Sequence, residues 1–164
     1  MPKLLAKILL LFFLCLGMAS CDSNAVFDEY ENIGKDGWAH KDTVQFRVQQ
    51  TDSLNPYNLF INLRANQDYP YRNIFLITSM DFPNGKVIKD TLEYNMAKPS
   101  GKLLGHSSGN LTESKLWYKE GVVFPEKGGY KFSVRQATRK NGQVKPDDTL
   151  HGVTDVGLRI EKIK

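Results

Sequence analysis

Two cysteines and three histidines are all that this 164-residue sequence offers to thiol, disulfide or histidine–metal chemistry. His40, His106 and His151 lie far apart and fall in no metal-binding spacing such as H-E-x-x-H. They read as scattered structural or surface histidines. Phosphate-loop order is also missing. Gly101-Lys102-Leu103-Leu104-Gly105-His106-Ser107-Ser108-Gly109 places its lysine after the first glycine, has no Lys-Ser/Thr after the second, and opens no convincing helix. A flexible loop between strands is expected there. Ser107 and Ser108 sit in no G-x-S-x-G elbow, and no base is identifiable for them. Asp28-Glu29 and Asp147-Asp148 are neighbouring carboxylates, but adjacent strand residues point to opposite faces. No D-x-D-x-D ladder for calcium accompanies them. These gaps leave no catalytic, metal or cofactor site to expect, and so no enzyme.

Charge of one sign is lacking too. Twenty-two Lys and Arg are set against 18 Asp and Glu, interleaved along the chain. Nucleic-acid binding would want a basic stripe, and none is present.

What is present begins at the N-terminus. Lys3 and Lys7 precede the apolar run Ile8 to Gly17, and Met18-Ala19-Ser20-Cys21 follows. A basic start, an apolar middle and a small-residue cleavage site make a secretory signal. Small residues directly before a cysteine are what lipoprotein processing requires. Residues 1–20 are therefore expected to be a removed signal, with Cys21 carrying a diacylglyceryl group as the first mature residue. A transmembrane helix would need about 20 apolar residues, more than this run supplies. An ordinary secretory signal would instead leave Cys21 as a free thiol. Cys15 follows the bulky Leu14 and is a poor competitor. With one cysteine discarded and the other modified, disulfides and cysteine-ligated metals are excluded. The remaining 144 residues suffice for one domain. Their formal charge is +2 rather than +4, because Lys3 and Lys7 leave without an acid.

Residues 21–37 are polar, acidic and glycine-containing, and read as the lipidated N-terminus and a tether, with order beginning either at Phe27 or near Trp38. Residues 38–164 read as the folded domain. From Trp38 onward apolar residues alternate with polar ones, the mark of half-buried strands. Val44, Phe46 and Val48 form one such face; Leu59, Ile61 and Leu63 another. Ile74, Leu76 and Thr78 follow, with Phe75 and Ile77 making that run apolar on both faces. Then come Leu92, Tyr94 and Met96; Tyr130, Phe132 and Val134; and Val156, Leu158 and Ile160. Turn chemistry at Asn55-Pro56, Pro83-Asn84-Gly85, Pro99-Ser100-Gly101, Gly128-Gly129 and Asn141-Gly142 separates the runs. The pattern predicts an all-β fold: an antiparallel β-sandwich of seven or eight strands, immunoglobulin-like or jelly-roll-like. One short helix is the best reading of Leu111 to Tyr118.

Aromatics are the remaining conspicuous group. Tyr69-Pro70-Tyr71, Trp38, Trp117 and Tyr118 could stack against sugar rings if exposed. Aromatics are more often the core filler of a sandwich.

The stretches Asn58-Leu-Phe-Ile-Asn-Leu-Arg64, Tyr69-Pro-Tyr-Arg-Asn-Ile-Phe75, Asp90-Thr-Leu-Glu93, Gly129-Tyr-Lys-Phe132, Gln136-Ala-Thr-Arg139 and Leu150-His-Gly-Val-Thr-Asp-Val-Gly-Leu158 together resemble the gliding-motility lipoprotein GldH family. The resemblance runs from about Trp38 to Ile160 and lies in order and spacing rather than in one motif. Thr138 departs from it, standing where methionine would be expected, and Leu103-Leu104-Gly105 is a looser version of a Trp-containing segment. The resemblance implies a non-enzymatic, membrane-anchored envelope lipoprotein required for gliding and linked to the type IX secretion machinery. Its implied partners are the membrane, through the lipid, and other gliding or secretion envelope proteins. Beyond Cys21 it supplies no site residue. The residues alone leave a glycan- or peptide-binding lipoprotein as the alternative. An outer-membrane position facing the periplasm is the location expected.

Overall fold

The computed structural model describes residues 24–163, so Cys21 and the expected signal lie outside the described residues. Eleven strands make up the fold: β1 (Ala25–Asn32), β2 (Trp38–Ala39), β3 (Val44–Gln50), β4 (Pro56–Ala65), β5 (Asn73–Asp81), β6 (Val87–Asn95), β7 (His106–Ser108), β8 (Leu111–Val123), β9 (Gly128–Gln136), β10 (Thr149–Leu150) and β11 (Val153–Lys162). No helix occurs among the described residues. One sheet runs β1-β11-β4-β8-β7, the other β3-β9-β5-β6, and β10 pairs with β2. Every pairing is antiparallel.

The all-β sandwich is thus as the period-two pattern predicts. Its pairing order decides between the two expected forms. Set aside the short β2, β7 and β10, and the first long strand pairs with the last, β1 with β11. The second pairs with the seventh, β3 with β9. The third pairs with the sixth, β4 with β8, and the fourth with the fifth, β5 with β6. That nesting is one long hairpin rolled onto itself, a jelly roll. In the immunoglobulin order, ABED on CFG, chain neighbours A with B, E with D and F with G pair. Here only β5 and β6 do so among the long strands.

The alternation delivers the core as expected. In β3, Val44, Phe46 and Val48 are buried between exposed Gln45, Arg47 and Gln49. In β9, Tyr130, Phe132 and Val134 face them, across a register that sets Phe46 opposite Phe132. Leu59, Ile61 and Leu63 of β4 and Val156, Leu158 and Ile160 of β11 close the core from the other sheet. Phe124, fully buried after β8, is ringed by Tyr57, Tyr130 and Phe132 at centroid distances of 5.7, 4.9 and 6.5 Å. Removing it leaves a cavity that three rigid rings cannot collapse into. Phe124→Ala should therefore cost about 3–5 kcal/mol, read as a lowered urea midpoint at unchanged m-value.

Two expectations are corrected. The helix over Leu111 to Tyr118 is the first part of strand β8. Thr112, Ser114, Leu116 and Tyr118 alternate inward, but the first two are polar and conceal the period. Ser114 Oγ donates to Leu104 O at 2.6 Å, and Thr112 Oγ1 bonds Ser107 Oγ at 3.0 Å. The second correction concerns residues 21–37, read as a tether. Residues 25–32 are the edge strand β1, in register with β11 from Ala25 opposite Glu161 to Asn32 opposite Asp155. The ordered fold begins ahead of Trp38. An edge strand wets one side and much of both faces, so acidic, tether-like composition is compatible with it.

The fold has two unlike ends. At one end, here the base, lie Asn24, the turns 51–55, 82–86 and 124–127, and the end of β11. Lys162 N donates to Asn24 O at 2.9 Å, and Asn84 Nδ2 donates to Glu126 Oε1. At the far end lie the longer connections 33–43, 66–72, 96–105 and 137–152. The β2–β10 pair clasps two of them, setting Trp38 opposite Leu150. Gly152 permits a third contact there: a Cβ on it would lie 2.2 Å from Tyr69 N, at a positive φ of 82°.

Candidate interaction face

The outward residues of the five-stranded sheet form a continuous polar and aromatic face. Register sets them in rows. Asp28, Arg159, Phe60 and Trp117 make one, and Tyr30, Gly157, Asn62 and Lys115 the next. Asn32, Asp155, Arg64 and Glu113 make a third, ending at His106 of β7.

The middle of this face is buried. Phe60 and Asn62 are almost fully buried although they point away from the core. Trp117 covers Phe60 with ring centroids 4.5 Å apart, and the Lys115 ammonium sits 4.0 Å from the same ring. The Arg64 guanidinium lies 3.9 Å over the Tyr30 ring. Its Nε donates to Glu113 Oε2 at 2.8 Å. Asn62 Nδ2 donates to the Tyr30 hydroxyl at 2.8 Å, while Asn62 Oδ1 is buried with no hydrogen-bond partner. Gly157 makes room for that ring. A Cβ there would meet Tyr30 carbons at 2.8 Å, so glycine inside a strand marks a close approach.

Burial, followed by the nearby Glu113 charge, pushes the Tyr30 hydroxyl up to about 12. Arg159 donates to Asp28 and, from Nε at 2.5 Å, to Glu161; Lys115 Nζ reaches Glu161 at 2.7 Å. Burial alone would raise the Glu161 carboxyl, but the hydrogen bonds and charges of Lys115 and Arg159 prevail and hold it below the ordinary value of 4.5. A folded value below the unfolded one stabilises the fold above the unfolded value, and that contribution is lost as pH falls through the folded one. Stability should therefore decline as pH drops below about 4.5, and Glu161→Gln should flatten that decline. Urea midpoints from pH 6 to pH 3 measure it.

The other sequence candidates have structural places. Trp38 is buried and donates from Nε1 to Asp42 O at 3.1 Å. Tyr69 is buried with its hydroxyl on Asn73 O at 2.7 Å, and Tyr118 is buried with its hydroxyl 3.4 Å from Asp90 Oδ2. Tyr71 donates to Asp147. Of that aromatic group, only Trp117 is strongly exposed, at 54%. Asp147 and Asp148 latch the far-end loop: the Asp147 carbonyl accepts from Gln136 Nε2 at 2.9 Å, and the Asp148 carbonyl from His40 N at 2.9 Å. The Gly101–Gly109 segment is partly ordered pairing rather than a flexible loop. Leu103 bridges Ala97, and β7 lies along β8. A Cβ at Gly105 would lie 2.1 Å from Glu113 O. No three His, Cys, Asp or Glu side chains converge as a metal site among the described residues. His40 Nδ1 is buried without a hydrogen-bond partner.

Local sequence pattern discloses this face only in part. Its signals are the polar positions between apolar ones in β4 and β11, and a glycine within a strand. The two stretches that supply most of it, 58–64 and 153–161, overlap those that carry the family resemblance.

The family model described as GldH lipoprotein matches residues 25–160. The chain belongs to the GldH lipoprotein family. A protein of Christiangramia forsetii named "Gliding motility lipoprotein GldH homolog" is 53% identical over 157 residues, covering 95% of each chain. The "Gliding motility lipoprotein GldH" of Flavobacterium johnsoniae is 49% identical over 144 residues, covering 87% of this chain and 88% of that one. A chain from the structure of infectious bursal disease virus, Gx strain, aligns over 84% of this chain and 30% of its own at 11% identity and a TM-score of 0.37. At that level the likeness bears on neither fold nor function.

Proposed function

We propose that this GldH-family chain is a non-catalytic gliding-motility lipoprotein, linked to the type IX secretion machinery and held to the outer membrane, on its periplasmic side, by lipidated Cys21. Its outer sheet face meets envelope protein partners. One observation carries that role for the face. Arg64 is paired with Glu113, Lys115 with Glu161, and Arg159 with Asp28 and Glu161, which leaves Trp117 as an exposed aromatic on a prearranged surface. Exposed aromatics held in place lose little entropy on binding and are favoured anchors of protein interfaces.

The test is a clean gene deletion complemented with wild-type or Trp117→Ala protein. Deletion should abolish surface spreading, wild type should restore it, and Trp117→Ala should restore it poorly at equal protein level. Normal spreading by the deletion strain would refute the role in gliding. Sugar-dependent quenching of Trp117 fluorescence would favour a glycan-binding lipoprotein instead.

A further inference from the structure

Seven large apolar side chains are strongly exposed among the described residues, and five of them gather at the base. Leu54 is 86% exposed, Val26 and Val87 48%, Val123 45% and Ile163 42%. The register places all five at this end: Pro56, two residues after Leu54, lies opposite Val123; Val87 closes the β5–β6 hairpin opposite Asp81; and Ala25 lies opposite Glu161. The other two are elsewhere, Trp117 on the sheet face and Val144 in a far-end loop. Single exposed apolar residues need no explanation, whereas a cluster does.

Leu54 is held out by a built turn. The Asp52 carboxylate accepts from Asn55 Nδ2 at 2.7 Å, Leu54 N at 2.9 Å and the Tyr57 hydroxyl at 2.8 Å. Those bonds hold its pKa well below the usual carboxylate range.

The position of the anchor says what covers this end. Only Asp22, Ser23 and Asn24 separate Cys21 from Ala25, the first residue of β1. The four Cα–Cα steps from Cys21 to Ala25 span at most about 14 Å, so a lipid on Cys21 keeps the base close to the headgroup layer. Lys86, Lys127 and Lys162 share this end with Asp52, Glu120 and Glu126, so its charge is mixed and the attraction is apolar. We infer that the base of the jelly roll seats on the lipid surface, with Leu54 and its four apolar neighbours in the interface and the long far-end loops turned away from the membrane. This rests on the lipidation of Cys21.

The test uses full-length processed lipoprotein in phosphatidylcholine vesicles. An environment-sensitive fluorophore is placed on Leu54→Cys or, for comparison, on Val144→Cys; Cys21, if lipidated, takes no label. The Leu54 probe should shift to the blue and be quenched at least twofold more by nitroxide-labelled lipid than the Val144 probe, unchanged in high salt. A Leu54 probe as wet as the Val144 probe on lipidated protein would overturn the seating. Label on Cys21, or a mass lacking the diacylglyceryl group, would overturn the anchor reading and the seating with it.

Discussion

A chain beginning at Trp38 will be recovered largely as aggregate, whereas one beginning at Asn24 will be a monomer that unfolds in a single step. The shorter chain is the domain that hydrophobic periodicity would delimit; the longer one keeps β1. Without β1, the backbone edge of β11 is open along the register from Phe27–Ile160 to Asn32–Asp155. Such an edge, carrying alternate Val156, Leu158 and Ile160, templates pairing with another chain. Each ladder hydrogen bond contributes about 0.5–1.5 kcal/mol net. Phe27 also loses its edge-on contact with Phe46 at 6.5 Å, and Arg159 loses Asp28. Against a typical stability of about 5–15 kcal/mol, the summed loss takes most of what holds the domain together. Size-exclusion chromatography and urea unfolding of the two chains measure this. A monomeric 38–164 chain with an unchanged midpoint would show β1 to be an appendage.

How far the fold is legible in the sequence depends on where each strand sits. β3 and β9 are plain because each buries one face under the opposite sheet, which forces strict alternation at Phe46, Val48, Phe132 and Val134. β8 is hidden because two of its inward positions are Thr112 and Ser114, whose hydroxyls are satisfied by Ser107 and the Leu104 carbonyl. β1 is hidden because an edge strand needs few apolar residues. The rolled order is unreadable from local pattern, since its outermost pair joins Asp28 to Arg159 across nearly the whole domain. The outer face was half legible. Asn62 and Arg64 read as solvent positions, yet Asn62 is buried beneath Tyr30, a neighbour 32 residues away that only the β1–β11–β4 order supplies. Thr138, where the family resemblance leads one to expect methionine, satisfies the backbone instead: its Oγ1 accepts from Phe75 N at 3.1 Å. Cys21 is the reverse case, legible in the sequence and outside the described residues.

On the proposed lipidation of Cys21, a chain delivered to the periplasm without lipid will be lost from the membrane fraction and will not support spreading. The informative variant replaces residues 1–20 with an ordinary secretory signal and carries Cys21→Ser. A serine substitution behind the native signal could leave that signal uncut and still embedded. Each acyl methylene contributes about 0.8 kcal/mol of membrane affinity, and one acyl chain alone binds only marginally, so at least two are needed for lasting anchorage. Removing both chains leaves the five apolar side chains of the base. Their partial exposure gives a contact that reverses readily, so the protein should shift from the pellet to the soluble fraction almost completely. A second variant separates anchoring from placement: native Cys21 followed by a 20-residue Gly/Ser insert before Asn24. Lipid retention should be normal, while the base is freed to tumble by a flexible linker of about 25 Å root-mean-square span. If orientation matters to the partner surface around Trp117, spreading falls although the protein stays in the membrane fraction. Full spreading by the long-linker protein would reduce the role of Cys21 to retention alone.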